Sequence, residues 1–369
     1  MDSERNETSG VVLLGFIYSA DERGFIIPSL VFLLVLGVSA NLLIIFIIYS
    51  KSYLRTPKNI LICNLCAVDL YGIITTCPYF IIKFILRDFS PMNTKLCLMQ
   101  YYFYVVYSCL SVFTVTLMAV DRYYVICNPF EYEMKITNER VVLSLAVSWV
   151  FAIFYPMLYV FSYIGHESCR QVLSCSFMCT GSSLEESMCV PTTFQRVYRI
   201  FMLTSHLAAC VVMVGFSYVK ILKESQSARL SESSRKALST VVTHSIVLAI
   251  FFITSLLLIV TGSLTTNNDK EAIALLRIST DLIYFSVPTS FNPVIYGLRN
   301  EDMRKELLKF LRRKKCTNEI CSATNSKGSI PVDSRTISRF FAGVILFKKA
   351  RPSVNPVIKV MPSTYTVCR

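Results

Sequence analysis

Seven apolar runs of membrane-crossing length set the limits on what this chain can fold into. They are Phe25–Tyr49, Asn59–Ile82, Leu98–Ile126, Val141–Ile164, Val197–Leu222, Ala237–Leu264 and Ala272–Leu298. At about 1.5 Å of rise per residue, each is long enough as a helix to cross a hydrocarbon layer about 30 Å thick. The stretch Leu98–Ala119 has no charged residue. Charged residues make up 17% of the 369 residues, against about 25% in soluble domains. In lipid the backbone must satisfy its own hydrogen bonds, which leaves helices or a closed barrel. Barrel strands alternate apolar and polar residues, and these runs do not. The expected fold is an all-α membrane protein, a seven-transmembrane helix bundle over residues 25–298.

Lys and Arg set the expected orientation: they gather in alternate loops, while the opposite loops are more mixed, with Lys83, Arg87, Asp88 and Lys95 on one and Glu167, Arg170, Glu185, Glu186, Arg196 and Arg199 on another. Lys51, Arg55 and Lys58 follow the first span, and Lys223, Arg229, Arg235 and Lys236 follow the fifth. Beyond the seventh come Arg304, Lys305, Lys309 and Arg312-Arg313-Lys314-Lys315. The N-terminus, residues 1–24, is therefore expected outside the cell and the tail in the cytoplasm. The formal net charge of +13 is largely this topology signal and calls for no nucleic acid. Met1–Arg5 leads into polar residues, so the first span is expected to act as its own insertion signal. Asn6-Glu7-Thr8 is a glycosylation sequon on the expected outer side. Residues 299–315 alternate basic and apolar side chains, the pattern of a short amphipathic eighth helix on the inner membrane surface. Residues 316–369 read as a disordered cytoplasmic tail or as an extension introduced by a mistaken gene model.

Asp121-Arg122 lies at the inner end of the third run. A charge pair at that depth is costly and marks a switch or a relay rather than an anchor. The cysteines divide by compartment. Cys97, Cys169, Cys175, Cys179 and Cys189 lie on the oxidising outer side. Spacing alone leaves their pairing open. Cys316 and Cys321 follow the basic stretch, where palmitoylation and a plain reduced thiol are equal readings. No His-Glu-x-x-His or nucleophile–base set lies within the spans, so an enzyme is not expected, nor a metal or other cofactor.

Several motifs, in order over about residues 10–315, carry a family resemblance. They are Asn41 with Leu65-Cys66-Ala67-Val68-Asp69, then Leu54-Arg55-Thr56-Pro57. Met118-Ala119-Val120-Asp121-Arg122-Tyr123-Tyr124-Val125-Ile126-Cys127-Asn128-Pro129 follows, then Lys236-Ala237-Leu238-Ser239-Thr240 with His244. The last is Pro288-Thr289-Ser290-Phe291-Asn292-Pro293-Val294-Ile295-Tyr296. Together they resemble a rhodopsin-like (class A) G-protein-coupled receptor, and within that class the odorant receptors. Ala40, Lys58-Asn59 and Phe252 depart from the usual odorant-receptor pattern.

The resemblance implies a receptor in the plasma membrane that binds a small-molecule odorant and activates a heterotrimeric G protein, raising cAMP. It implies the disulfides Cys97–Cys179 and Cys169–Cys189. It assigns the coupling switch to Asp121, Arg122, Tyr123, His244, Asn292, Pro293 and Tyr296. Asn41, Asp69 and Asn292 lie at similar depth on three spans, as either a structural hydrogen-bond knot or a water or sodium site. Expected pocket positions are Tyr104, Val105, Ser108 and Cys109 on span three, with Phe252, Ser255 and Ile259 on span six. Span seven adds Asp281, Leu282 and Phe285; core packing is the plainer reading of each. Arg277 and Asp281, four residues apart, either pair with each other or meet a charged ligand. The rival functions are a non-olfactory class A receptor for a peptide or lipid, and a transporter. The second would show internal repeats and broken helices in matching halves, which are not seen.

Overall fold

The fold is seen in a computed structural model that describes residues 10–13, 23–86, 90–174, 176, 178–189, 193–226, 253, 256–257, 270–300 and 302–309. Almost all of the expected sixth span lies outside the described residues, with His244, Phe252, Ser255 and Ile259. Asn6, Cys175, Cys316, Cys321 and the 316–369 tail lie outside them as well.

The first described element is a short strand, β1 (Gly10–Leu13), and the next is the long helix α1 (Arg23–Ser50). A 3-10 turn at Ser52–Leu54 leads into α2 (Pro57–Leu86). The Asn59 side-chain amide donates to the Leu54 carbonyl at 2.8 Å and ties the turn to the helix it precedes. The central helix α3 (Thr94–Cys127) starts at Asn93, whose side chain accepts from the Lys95 amide at 2.8 Å. Pro129 then opens a short helix, α4 (Pro129–Lys135), where its missing N–H costs nothing.

The fourth expected span, Val141–Ile164, is not one helix. It divides into α5 (Asn138–Phe154) and α6 (Met157–Phe161) around Tyr155-Pro156. Pro156 lacks a backbone donor and crowds the preceding turn, so the helix breaks just before it. The loop that follows contains β2 (Gln171–Ser174) and a seven-residue helix, α7 (Gly181–Ser187). Two more long helices follow, α8 (Thr193–Gln226) and α9 (Lys270–Arg299). Residues 302–309 are helical again. There Met303 and Glu306 are buried while Arg304, Lys305 and Lys309 are exposed.

Six of the seven expected spans are thus described as helices. Their outward faces are apolar: Phe32, Phe46, Ile74, Leu143, Val147 and Phe154 are all exposed. In water such a surface would associate, whereas against lipid tails it costs nothing. Four helices are long and apolar enough to cross a membrane by length and composition among the described residues.

Inside, α3 packs against α2, α5 and α8, while α9 packs against α1 and α2. Two apolar clusters result. One gathers Tyr101, Tyr107, Leu110, Tyr159, Leu184, Met188 and Tyr284 near the disulfides. The other gathers Ile44, Ile48, Leu65, Met118, Leu145, Tyr296 and Met303 near Arg122.

Part of the expected extracellular N-terminus, residues 1–24, is built into the fold. β1 pairs in parallel with β2, Val11 opposite Val172, and Val11 also exchanges hydrogen bonds with Met92 at 3.1 and 2.8 Å. Val11 and Leu13 join the cluster near the disulfides. A Cβ on Gly10 would lie 2.5 Å from the Met92 carbonyl oxygen, so only glycine allows this approach.

Candidate functional site

The chemistry-bearing side chains fall into three groups: one at the disulfide end of the bundle, one at mid-depth and one at the Arg122 end.

At the Arg122 end, Asp121 is 2% exposed, and its Oδ2 lies 3.5 Å from Arg122 Nε. The other carboxylate oxygen accepts from the Tyr132 hydroxyl at 2.9 Å. Tyr132 sits on α4, so the short helix after Pro129 brings a donor back to the pair. Burial, together with the charge of Asp121 and the hydrogen bond to it, pushes the Tyr132 hydroxyl well above its usual range. It therefore stays protonated and remains a donor. Tyr123 sets its ring 6.4 Å from that of Phe216 on α8. Tyr296 is buried in the adjoining cluster one turn beyond Pro293. Asn300 reaches across to Asn59 at 2.8 Å and joins the end of α9 to the start of α2.

At mid-depth, Asn292 Nδ2 donates to Asp69 Oδ2 at 3.1 Å. Asn41 does not bond that pair. Its amide instead donates to the carbonyls of Gly37 at 2.8 Å and Thr289 at 2.9 Å, the latter one helix away on α9. Asn41 is 0% exposed and Asp69 1%. The side-chain oxygens of Asn41, Asn292 and Ser111 find no hydrogen-bond partner among the described residues. A second polar knot adjoins this layer: Asn64 donates to Thr114 at 2.8 Å and accepts from the Trp149 indole at 2.9 Å.

At the opposite end, Cys97 is bonded to Cys179 and Cys169 to Cys189, with Cα separations of 5.3 and 4.9 Å. The Cys179 amide also donates to Gln100 Oε1 at 3.0 Å. The loop between α6 and α8 is thereby laid over the bundle, beside the proposed pocket positions. Tyr104, Val105 and Leu282 pack against the same cluster, and Cys109 is buried within it. The Tyr104 and Tyr284 rings lie 6.1 Å apart, and the Tyr284 hydroxyl makes a long contact of 3.4 Å to Ser108. Asp281 accepts from the Ser176 hydroxyl of the loop. The backbone of Phe285 lies on α9, and its side chain lies outside the described residues, as does that of Arg277.

Several participants are not visible in a motif. Tyr132, Ser176 and Gln100 act on residues far away in sequence or in another element. Glu185 and Arg199 are ordinary charges when counted in a loop, yet they form an ion pair with side-chain exposures of 5% and 19%. The signal that could have found Arg199 was its position inside an apolar run, where a charge calls for a partner.

With this geometry in place, comparison with known proteins assigns the family. Residues 40–296 match the family described as 7 transmembrane receptor (rhodopsin family). Olfactory receptor 1073 of Rattus norvegicus is 29% identical over 277 residues, covering 75% of this chain and 87% of the relative. Olfactory receptor 1G1 of Gorilla gorilla gorilla is 28% identical over 302 residues, 81% and 93% of the two chains. The crystal structure of squid rhodopsin superposes with a TM-score of 0.59 at 14% identity, over 82% of this chain and 86% of that one. That likeness shows the fold, a seven-helix membrane bundle. The family is a class of receptors without enzymatic activity. The family match spans both the Asp69–Asn292 layer and the Asp121–Arg122 pair, and the chain belongs to the rhodopsin family of seven-transmembrane receptors.

Proposed function

We propose that the protein is an odorant receptor of the plasma membrane. It binds a small-molecule odorant at the disulfide end of the bundle and activates a heterotrimeric G protein of the olfactory stimulatory type at the Arg122 end, raising cAMP. The observation that carries this reading is the match to proteins named olfactory receptors over 87% and 93% of their lengths. The disulfide end then faces outward, with the N-terminus extracellular and Asn6 glycosylated.

The arrangement suits a two-state device without covalent chemistry. Arg122, held by Asp121, has limited freedom to meet a partner; release of that contact frees its guanidinium. Pro293 weakens α9 one turn before Tyr296, which gives the helix a place to bend. Tyr104, Val105, Ser108, Cys109, Asp281, Leu282 and Phe285, with Phe252, Ser255 and Ile259 of span six, form the proposed ligand wall. His244 joins the switch. The carboxylate of Asp69 and the unpartnered oxygens of Asn41 and Asn292 are an all-oxygen donor set, which fits water or a sodium ion.

A panel of volatile and water-soluble odorants, read by cAMP in cells given the olfactory-type G protein, tests the reading. A ligand-dependent rise supports it. Silence across broad panels with surface expression demonstrated overturns it. For the mid-depth layer, Asp69→Asn should alter signalling at normal surface expression, and unchanged signalling would remove the layer from the switch.

A further inference from the structure

The loop over the disulfide end meets α8 through the ion pair of Glu185 and Arg199. Glu185 sits on α7, whose first turn is capped by Thr180 accepting from the Ser183 amide at 3.2 Å. Arg199 lies in the second turn of α8. The contact is two-pointed: Nε to Oε1 at 2.7 Å and Nη2 to Oε2 at 3.0 Å. This fork geometry fixes orientation as well as distance. The Tyr159 hydroxyl lies 3.3 Å from the same carboxylate and 2.8 Å from that of Tyr163. The Arg199 stem runs over Gly181, where a Cβ would meet Arg199 Cδ at 2.4 Å and the Tyr101 ring at 3.0 Å.

The two partners belong to unlike frames. Glu185 moves with a loop held by Cys97–Cys179 and Cys169–Cys189. Arg199 moves with α8, a helix of 34 residues. The same helix carries Phe216 to within 6.4 Å of Tyr123, the neighbour of Arg122. Those 17 residues of rise amount to about 26 Å of stiff rod between the ion pair and the switch. The Glu185–Arg199 ion pair ties α8 to α7. In the same structure Arg122 is still held by Asp121, so the pair belongs to the held state of the switch.

We propose that Glu185 and Arg199 are a positioning pair: they hold the outer end of α8 against the disulfide-tethered loop and thereby set the resting activity of the receptor. The inference rests on the receptor reading above and adds its regulation. A ligand that draws the loop and α8 apart acts against this contact, and α8 carries the change to Tyr123.

The test uses the full-length receptor and the double variant Glu185→Gln with Arg199→Met, which removes both charges and leaves none buried alone. It also uses the charge swap Glu185→Arg with Arg199→Glu. The double variant should raise basal signalling per surface receptor roughly tenfold, within the usual range of coupling between sites. The swap should return it to within about twofold of wild type, by restoring the contact. Wild-type basal signalling in the double variant, or equal activity in both variants, overturns the proposal. Loss of surface expression in both also overturns it, because the pair is then architectural only. A second readout needs neither ligand nor G protein: amide hydrogen exchange over residues 193–200 in purified receptor. It should quicken roughly tenfold in the double variant and recover in the swap, and unchanged exchange overturns the proposal. If wild type activates no G protein, the receptor reading falls, while the exchange rates still decide the pair.

Discussion

The two ends of the bundle are held by different kinds of contact. The disulfide end is fastened covalently by Cys97–Cys179 and Cys169–Cys189, threaded by the buried strand β1, and latched by Glu185–Arg199 and Ser176–Asp281. The Arg122 end has no disulfide among its described residues. It relies on Asp121–Arg122 at 3.5 Å, Tyr132–Asp121 at 2.9 Å and Asn300–Asn59 at 2.8 Å. A covalent link limits the freedom of a loop whatever the rest of the molecule does. A single hydrogen bond contributes about 1 kcal/mol net and can be exchanged for another. A fixed frame at one end and exchangeable ties at the other suits the proposed division of labour, with ligand recognition at the disulfide end and coupling at the Arg122 end.

Four substitutions would break or sharpen this contrast. The largest effect is expected from Cys97→Ser, since losing a native disulfide costs about 2–5 kcal/mol. Surface expression and the melting temperature of purified receptor should both fall steeply, and an unchanged melting temperature would show that noncovalent contacts alone hold the cap. Gly181→Ala comes next. Its Cβ would stand 2.4 Å from Arg199 Cδ, so the Arg stem or α7 must shift at about 1–3 kcal/mol. Most of the cost should go when Arg199 is shortened to Ala in the same chain, the remainder falling on the Tyr101 ring at 3.0 Å, and a thermal melt of the four-member cycle would read it.

At the other end, Tyr132→Phe removes a donor from Asp121 at about 1 kcal/mol, too little to impair folding. Basal signalling should rise roughly fivefold by the same arithmetic, while melting temperature barely moves. A large fall in melting temperature would mean the Arg122 end is as rigidly built as the cap. The smallest effect concerns Glu306. Lys309 at 2.6 Å, with help from Tyr53 and from Lys51 at 3.9 Å, holds its carboxyl below the usual range. A carboxyl depressed in the folded state lends stability above its unfolded value and loses it as pH falls through the folded one. Wild type should therefore melt slightly above Glu306→Gln at neutral pH, and the difference should close below about pH 4. A difference that persists in acid would assign the effect to packing.

The seven apolar runs, the basic loops and the Asp121-Arg122 stretch were all legible along the chain because each is local. Apolar length fixes a span whatever its neighbours are. A single residue refines this logic: Pro156 divides the fourth run into α5 and α6, while Asn138–Phe161 as a whole is still long and apolar enough to be one candidate span. Asn41, Asp69 and Asn292 were legible as polar residues at one depth, but not their partition. Asn41 bonds backbone carbonyls, and of the three it is Asn292 that meets Asp69 among the described residues.

By itself, then, the sequence determined the helical membrane class, the number of spans and the placing of a charge pair at the end of the third. These follow from hydrophobic period and length, which need no knowledge of contacts. Only the tertiary structure decided that Val11 of the leader is core, that Tyr132 returns to Asp121, and that Glu185 finds Arg199. Val11 and Val172 stand far apart in the chain, and so in their degree do Glu185 and Arg199. The pairing of such residues is set by how helices pack and where loops are tied, and composition does not encode it.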